Sequence, residues 1–120
     1  MSVNTVTERT SSRYTATLKD AAGNVLPLSS IVTAELTLKN VDTDAVINGR
    51  TAQNVKNANN VTIHATSGLL TWSMQPADNV IVTAGVEHEL HRAVFVVVYD
   101  TDQKIVHETY ILVDNISGVT

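Results

Sequence analysis

The chain has 120 residues, with 8 lysines and arginines against 12 aspartates and glutamates, no cysteine and a formal net charge of −4. That length fits one domain with a single buried core, and the missing cysteines exclude disulfide staples and thiolate metal sites. The basic residues, from Arg9 to Lys104, are spread without a cluster, which argues against nucleic acid as a partner.

Met1 to Thr10 is polar and lacks the apolar stretch of a signal peptide. The longest apolar run, Ala93 to Tyr99, is far shorter than the roughly 20 residues a membrane helix needs. No membrane partner is expected. Valine (18) and threonine (16) are the enriched types. Both are stiff at χ1 and pack well on a pleated surface, so they favour strands. No segment carries a sustained helical apolar period with caps.

In chain order, residues 1–12 read as a polar, flexible N-terminal arm. Arg13 to Lys19 alternates, with Tyr14, Ala16 and Leu18 on one face, as a half-buried strand does. Gly23 and Asn24 then supply turn chemistry, and Pro27 confines the next short segment to a sheet edge. Val32, Ala34, Leu36 and Leu38 mark a second alternating strand, and Asn40 to Ala45 a polar loop. Asn48-Gly49 is a two-residue hairpin signal between Val46-Ile47 and a strand starting near Arg50. Gln53 to Asn60 contains four asparagines and reads as an exposed loop.

Val61 to Ala65 is a short strand, Ser67-Gly68 a turn, and Leu70, Trp72 and Met74 share one face of the next strand. Ala93 to Tyr99 and Ile105 to Val113 close the pattern, joined at Asp100 to Gln103. Seven or eight short strands at this spacing predict a sandwich or barrel in one all-β domain over 13–114, with a C-terminal tail over 115–120. Trp72, Phe95, Leu36, Leu38 and Leu70 are the expected core anchors.

Candidate chemistry is thin. His88 and His91 are three apart, but on an extended chain that spacing sends them to opposite faces, so no metal site is expected. The Asp-Thr-Asp triplets at 42–44 and 100–102 lack the glycine and distal glutamate of a calcium loop and read as turns. No serine sits in a Gly-x-Ser-x-Gly elbow, and the five glycines are too scattered for a phosphate-binding loop. Two Asn-x-Ser/Thr sequons begin at Asn60 and Asn115, and read as chance without a secretion signal. No cofactor and no catalysis are expected.

Ala93 to Tyr99 departs from the sandwich pattern. Ala93, Phe95, Val97 and Tyr99 fall on one face, yet Val94, Val96 and Val98 make the other face apolar as well. A sandwich strand wets its second face, so these valines call for cover from a loop, the N-terminal arm or another chain. Val94, Val96 and Val98, with Val3 and Val6 of the arm, are the candidate interface.

The segment Gly68-Leu-Leu70-Thr-Trp72-Ser-Met74-Gln-Pro76-Ala-Asp78 is followed by Gly85, Ala93-Val-Phe95, Tyr99-Asp100 and Tyr110-Ile-Leu-Val113. This resembles the immunoglobulin-like domain of bacteriophage virion proteins, as at the N-terminus of baseplate upper proteins and in related tail and head-fibre proteins. Leu18-Lys-Asp20-Ala-Ala-Gly23 and Ala34-Glu-Leu36-Thr-Leu38 follow the same plan, so the likeness spans about 13–113. It implies an immunoglobulin-like β-sandwich of seven to eight antiparallel strands and a non-enzymatic structural role in a head, neck or tail assembly. The implied partners are other virion proteins or further copies of this chain, and the implied location is the virion, assembled in the host cytoplasm. The alternative is a carbohydrate- or receptor-binding sandwich, which needs exposed aromatics that this chain has few of.

Overall fold

The computed structural model describes residues 3–83 and 85–115. The strands are β1 (Val3–Thr7), β2 (Ser12–Thr17), β3 (Ile31–Asn40), β4 (Gln53–Asn54), β5 (Val61–Ile63), β6 (Leu69–Met74), β7 (His88–Tyr99) and β8 (Gln103–Asp114). They form a five-stranded sheet ordered β1-β8-β7-β3-β4 and a three-stranded sheet ordered β2-β6-β5. Two short 3-10 turns, Leu28–Ser30 and Pro76–Asn79, accompany them, and no α-helix occurs among the described residues. β2-β6-β5 corresponds to the B-E-D sheet and β3-β7-β8 to the C-F-G sheet of an immunoglobulin-like sandwich. The protein is such a sandwich.

Alternation dictates which faces meet. Leu70, Trp72 and Met74 of β6 and Val61 and Ile63 of β5 point inward from one sheet. Ala34, Leu36 and Leu38 of β3, Ala93, Phe95 and Val97 of β7, and Ile111 and Val113 of β8 point inward from the other. Trp72, Phe95, Leu36, Leu38 and Leu70 are all fully buried. Trp72 meets Phe95 edge to face at 5.8 Å, and Tyr14 of β2 stacks on Phe95 at 6.3 Å. Such aromatic pairs add roughly 0.5–1.5 kcal/mol each beyond burial. In antibody domains a disulfide joins strands B and F here; in this chain the Tyr14–Phe95 stack spans β2 and β7.

Two expectations change. Residues 1–12 are not simply an arm: Val3–Thr7 is an edge strand on β8 and Ser12 opens β2, while Met1 and Ser2 lie outside the described residues. The β1–β8 pair is parallel, so the strands are not all antiparallel. The cause is the crossing at Glu8–Ser11, where Arg9 takes φ 58 and the chain passes from one sheet to the other. Bonds from Glu8 N to Asp114 O (2.8 Å) and Arg9 N to Asn79 O (2.7 Å) hold that crossing. At the other end, Asn115 N donates to Glu87 O at 2.8 Å, and 116–120 lie outside the described residues.

Asn48 and Gly49 both take positive φ, as a type I′ turn requires. The flanks do not pair with each other as a hairpin. Ile47 N donates to Leu38 O and Arg50 O accepts from Leu38 N, so both lie along β3. That route buries Arg50 between the 48–60 region and the loop after β6. Its guanidinium bonds Asp78 (Nε–Oδ1 2.6 Å, Nη2–Oδ2 3.1 Å), Gln53 Oε1, the Asn59 carbonyl and Asn60 Oδ1, and lies 5.7 Å over Trp72. The asparagine-rich loop is therefore pinned. Val55 is fully buried, and Asn57 Oδ1 accepts Ile63 N–H at 2.6 Å.

Candidate contact surface

The long β7–β8 hairpin presents one face to the core and the other outward. Its register pairs Val98 with Lys104, Val96 with Val106, Val94 with Glu108, Arg92 with Tyr110 and Leu90 with Leu112, all on the outer face. On its flanks β3 adds Thr33, Glu35, Thr37 and Lys39, and β1 adds Val3 beside Tyr110. Val94, Val96 and Val98 are half-buried by their neighbours, and Val106 at 59% is the most exposed large apolar residue among those described. A stripe of valines thus runs down the middle of an uncovered sheet.

The opposite outer face is chemically different. There β2, β5 and β6 present Arg13, Thr15, Thr17, Thr62, Thr71 and Ser73, with Leu69 at the margin. Both faces belong to sheets of one sandwich, so the valines are not a general consequence of strand propensity.

Charges frame the stripe. Arg92 bonds Glu108 at 2.9 Å through Nε, and Lys39 lies 3.4 Å from Asp44. Lys39, Asp44, Arg92, Val94 and Tyr110 line a shallow depression of about 360 Å³. The Tyr110 hydroxyl, and then Arg92, hold the Glu108 carboxyl below its ordinary value, while Glu108 pushes the Tyr110 hydroxyl up.

Of the five candidate interface residues, Val94, Val96, Val98 and Val3 lie on this face. Val6 does not. Within β1 the inward positions are Asn4 and Val6, so Val6 packs on the core and Asn4 Nδ2 reaches Thr109 Oγ1 at 3.2 Å. Val106 and Leu112 were missed. Their signal is alternation counted from Ile105, which sends Ile105, Ile111 and Val113 inward and Val106 and Leu112 outward.

The histidines are dispersed. His64 Nδ1 accepts the backbone N–H groups of Thr66 and Ser67, and His88 is exposed at the start of β7. His91, on the opposite face from His88, is buried with Nε2 2.6 Å from Glu89. Burial raises the Glu89 carboxyl, but bonds from His91 and the N–H groups of Val82 and Thr83 outweigh it and hold it below its ordinary value. His107 meets the Tyr14 hydroxyl between the sheets; burial lowers the imidazole and raises the phenol. Among the described residues, no three of His, Cys, Asp and Glu gather as a metal site would need. The second Asp-Thr-Asp triplet forms the β7–β8 turn, with Asp100 and Thr101 at positive φ. Asn60 of the first sequon engages Arg50 through its side chain.

No family model and no curated protein matches the chain. Among solved structures it is similar to the N-terminal Ig1-2 module of the Drosophila receptor protein tyrosine phosphatase DLAR, at 7% identity and a TM-score of 0.45. That match covers 99% of this chain and 48% of the other, so the chain spans about half its length.

Proposed function

We propose that this chain is a non-enzymatic contact module that docks through the outer face of its five-stranded sheet, and that its setting is a bacteriophage virion. The observation that carries the docking face is the contrast between the two outer surfaces: valines on β7 and β8, hydroxyls on β2, β5 and β6. An uncovered apolar stripe with a charged frame is the usual composition of a protein contact. The virion setting is supported by the likeness of 68–78 and the strands after it to virion immunoglobulin-like domains. A sugar-binding role is less well supported, because Trp72, Phe95 and Tyr99 are buried and the outer face has Tyr110 as its one aromatic among the described residues. Cross-linking mass spectrometry on purified particles tests the proposal. Lys39 and Lys104 on this face are expected to link to a virion protein. Particles that contain no peptide of this chain would overturn the setting.

A further inference from the structure

The uncovered face is matched to itself. We infer that its occupant is a second copy of this chain, packed face to face about a two-fold axis that crosses the strands over the Val96–Val106 pair. This rests on the contact-module reading and names its partner.

The inference follows from the register. Such an axis maps each strand onto the same strand of the other copy, reversed, so residues equally far from the centre exchange places. Val98 of one copy meets Val94 of the other, and Lys104 meets Glu108, because each lies two residues from the centre of its own strand. Lys104 takes part in no ion pair among the described residues. Beyond the strand ends, the hairpin turn with Asp100 and Asp102 comes over the end of the partner's face that carries Arg92 and Tyr110. Apolar residues thus lie on apolar residues, and acids on bases or on a phenol. Glu35, paired with Val96 on β3, meets its own copy. That one unfavourable contact is at the margin.

An axis along β7 does worse. It stacks Arg92 on its own copy and leaves Lys104 opposite Thr33.

The size also fits. At about 3.3 Å per residue and 4.8 Å between strands, the 12-residue arms of β7 and β8 give nearly 400 Å², and the 10 residues of β3 with the 5 of β1 bring the face to roughly 600 Å². A stable interface buries about 600–1,000 Å² per partner, so this surface reaches the lower end of that range when all of it is used, in keeping with a micromolar dimer. Sheets packed this way stack about 10 Å apart with strands near −30°.

Sedimentation velocity of the full chain across a concentration series tests the inference. The expected result is a monomer–dimer equilibrium with a micromolar Kd. Val106→Glu, a change at an exposed position, is expected to give a monomer whose circular dichroism matches the parent and whose thermal melt matches it at concentrations below the Kd. Lys104→Glu is expected to weaken association about tenfold, the scale of two rim charge pairs, and Glu35→Gln to tighten it. Adding Glu108→Lys to Lys104→Glu is expected to restore part of the loss. Because the chain has no cysteine, Val106→Cys places one thiol on the axis, where a short bis-maleimide should link two copies.

A chain that stays monomeric at hundreds of micromolar overturns the inference, as does a dimer that Val106→Glu and Lys104→Glu leave unchanged. Neither result touches the contact-module reading, which fails separately if this face cross-links to nothing in the particle.

Discussion

Replacing Asp78 with alanine is the sharpest test of how the loops are held to the sandwich. The carboxylate is fully buried and accepts four bonds: Arg50 Nε and Asn48 Nδ2 on Oδ1, Arg50 Nη2 and the Gln75 N–H on Oδ2. Arg50 is 1% exposed, so the truncation strands a guanidinium that water cannot reach. Its bonds to Gln53, Asn59 and Asn60 remain, but none of them carries a negative charge. Breaking a buried pair in this way costs about 3–5 kcal/mol. A domain of this length has roughly 6–18 kcal/mol in all, so the loss is a large share of its stability. Removing both charges with Arg50→Met and Asp78→Leu is expected to cost far less than the two single changes added together, because no buried ion is left behind. Urea denaturation followed by Trp72 fluorescence gives the comparison, since Trp72 is the one tryptophan and Arg50 lies over its ring. With a slope near 2 kcal/mol per molar urea, Asp78→Ala is expected to lower the midpoint by about 2 M. A loss under about 1 kcal/mol, or additive single and double variants, refutes the account of Arg50 as a cation whose charge is balanced by Asp78.

Four further expectations use the same assay. At Gly68, φ is +72 and an added Cβ would lie 2.8 Å from the Leu18 carbonyl, whereas at Gly49, φ +65, it would meet open space. Gly68→Ala is therefore expected to cost clearly more than the roughly 1–2 kcal/mol that left-handed backbone alone imposes on Gly49→Ala; equal costs refute the close approach. His107 has a folded-state pKa below its ordinary 6.5, so the unfolded chain takes up the proton first. Stability is full above that value and falls as pH drops through it, and His107→Gln should flatten that slope; an unchanged slope between pH 7.5 and 5.5 sinks the assignment. Glu89, held below 4.5, acts in a lower window: its contribution is present above 4.5 and is lost as pH falls through the depressed value. Finally, Val97→Thr puts a hydroxyl into the core and is expected to cost about 1–3 kcal/mol, while Val106→Thr on the outer face stays within about 0.5. A similar loss at both positions would mean that the two faces are wrongly assigned.

Legibility followed alternation. Residues 14–16 of β2, 34–38 of β3, 70–74 of β6 and 93–99 of β7 carry inward apolar residues at every second position, so their faces follow from the sequence, while the buried Asn40, Glu89 and His91 break the period at the strand ends. β1 does not, because one of its two inward positions is Asn4, held by Thr109, and a polar residue there breaks the period. β4 is two residues long and owes its place to backbone bonds with Glu35 and Leu36, which no local pattern announces. Asn48-Gly49 announces a turn correctly, but where its flanks go is decided by Leu38 and by Arg50 reaching Asp78, 28 residues away. The uncovered valines of β7 were readable because they break a rule of two-layer packing. Val106, their partner on β8, shows only when alternation is counted from Ile105, because the inward polar residues His107 and Thr109 obscure the period.

The Tyr14–Phe95 stack between β2 and β7 has a practical consequence. A sandwich clasped by rings instead of sulfur needs no oxidant to mature and has nothing for a reductant to open. Its refolding yield should be the same in dithiothreitol as in air. Any thiol introduced into it is the sole sulfhydryl in the molecule, so a dye, spin label or gold cluster attached there reports from one address.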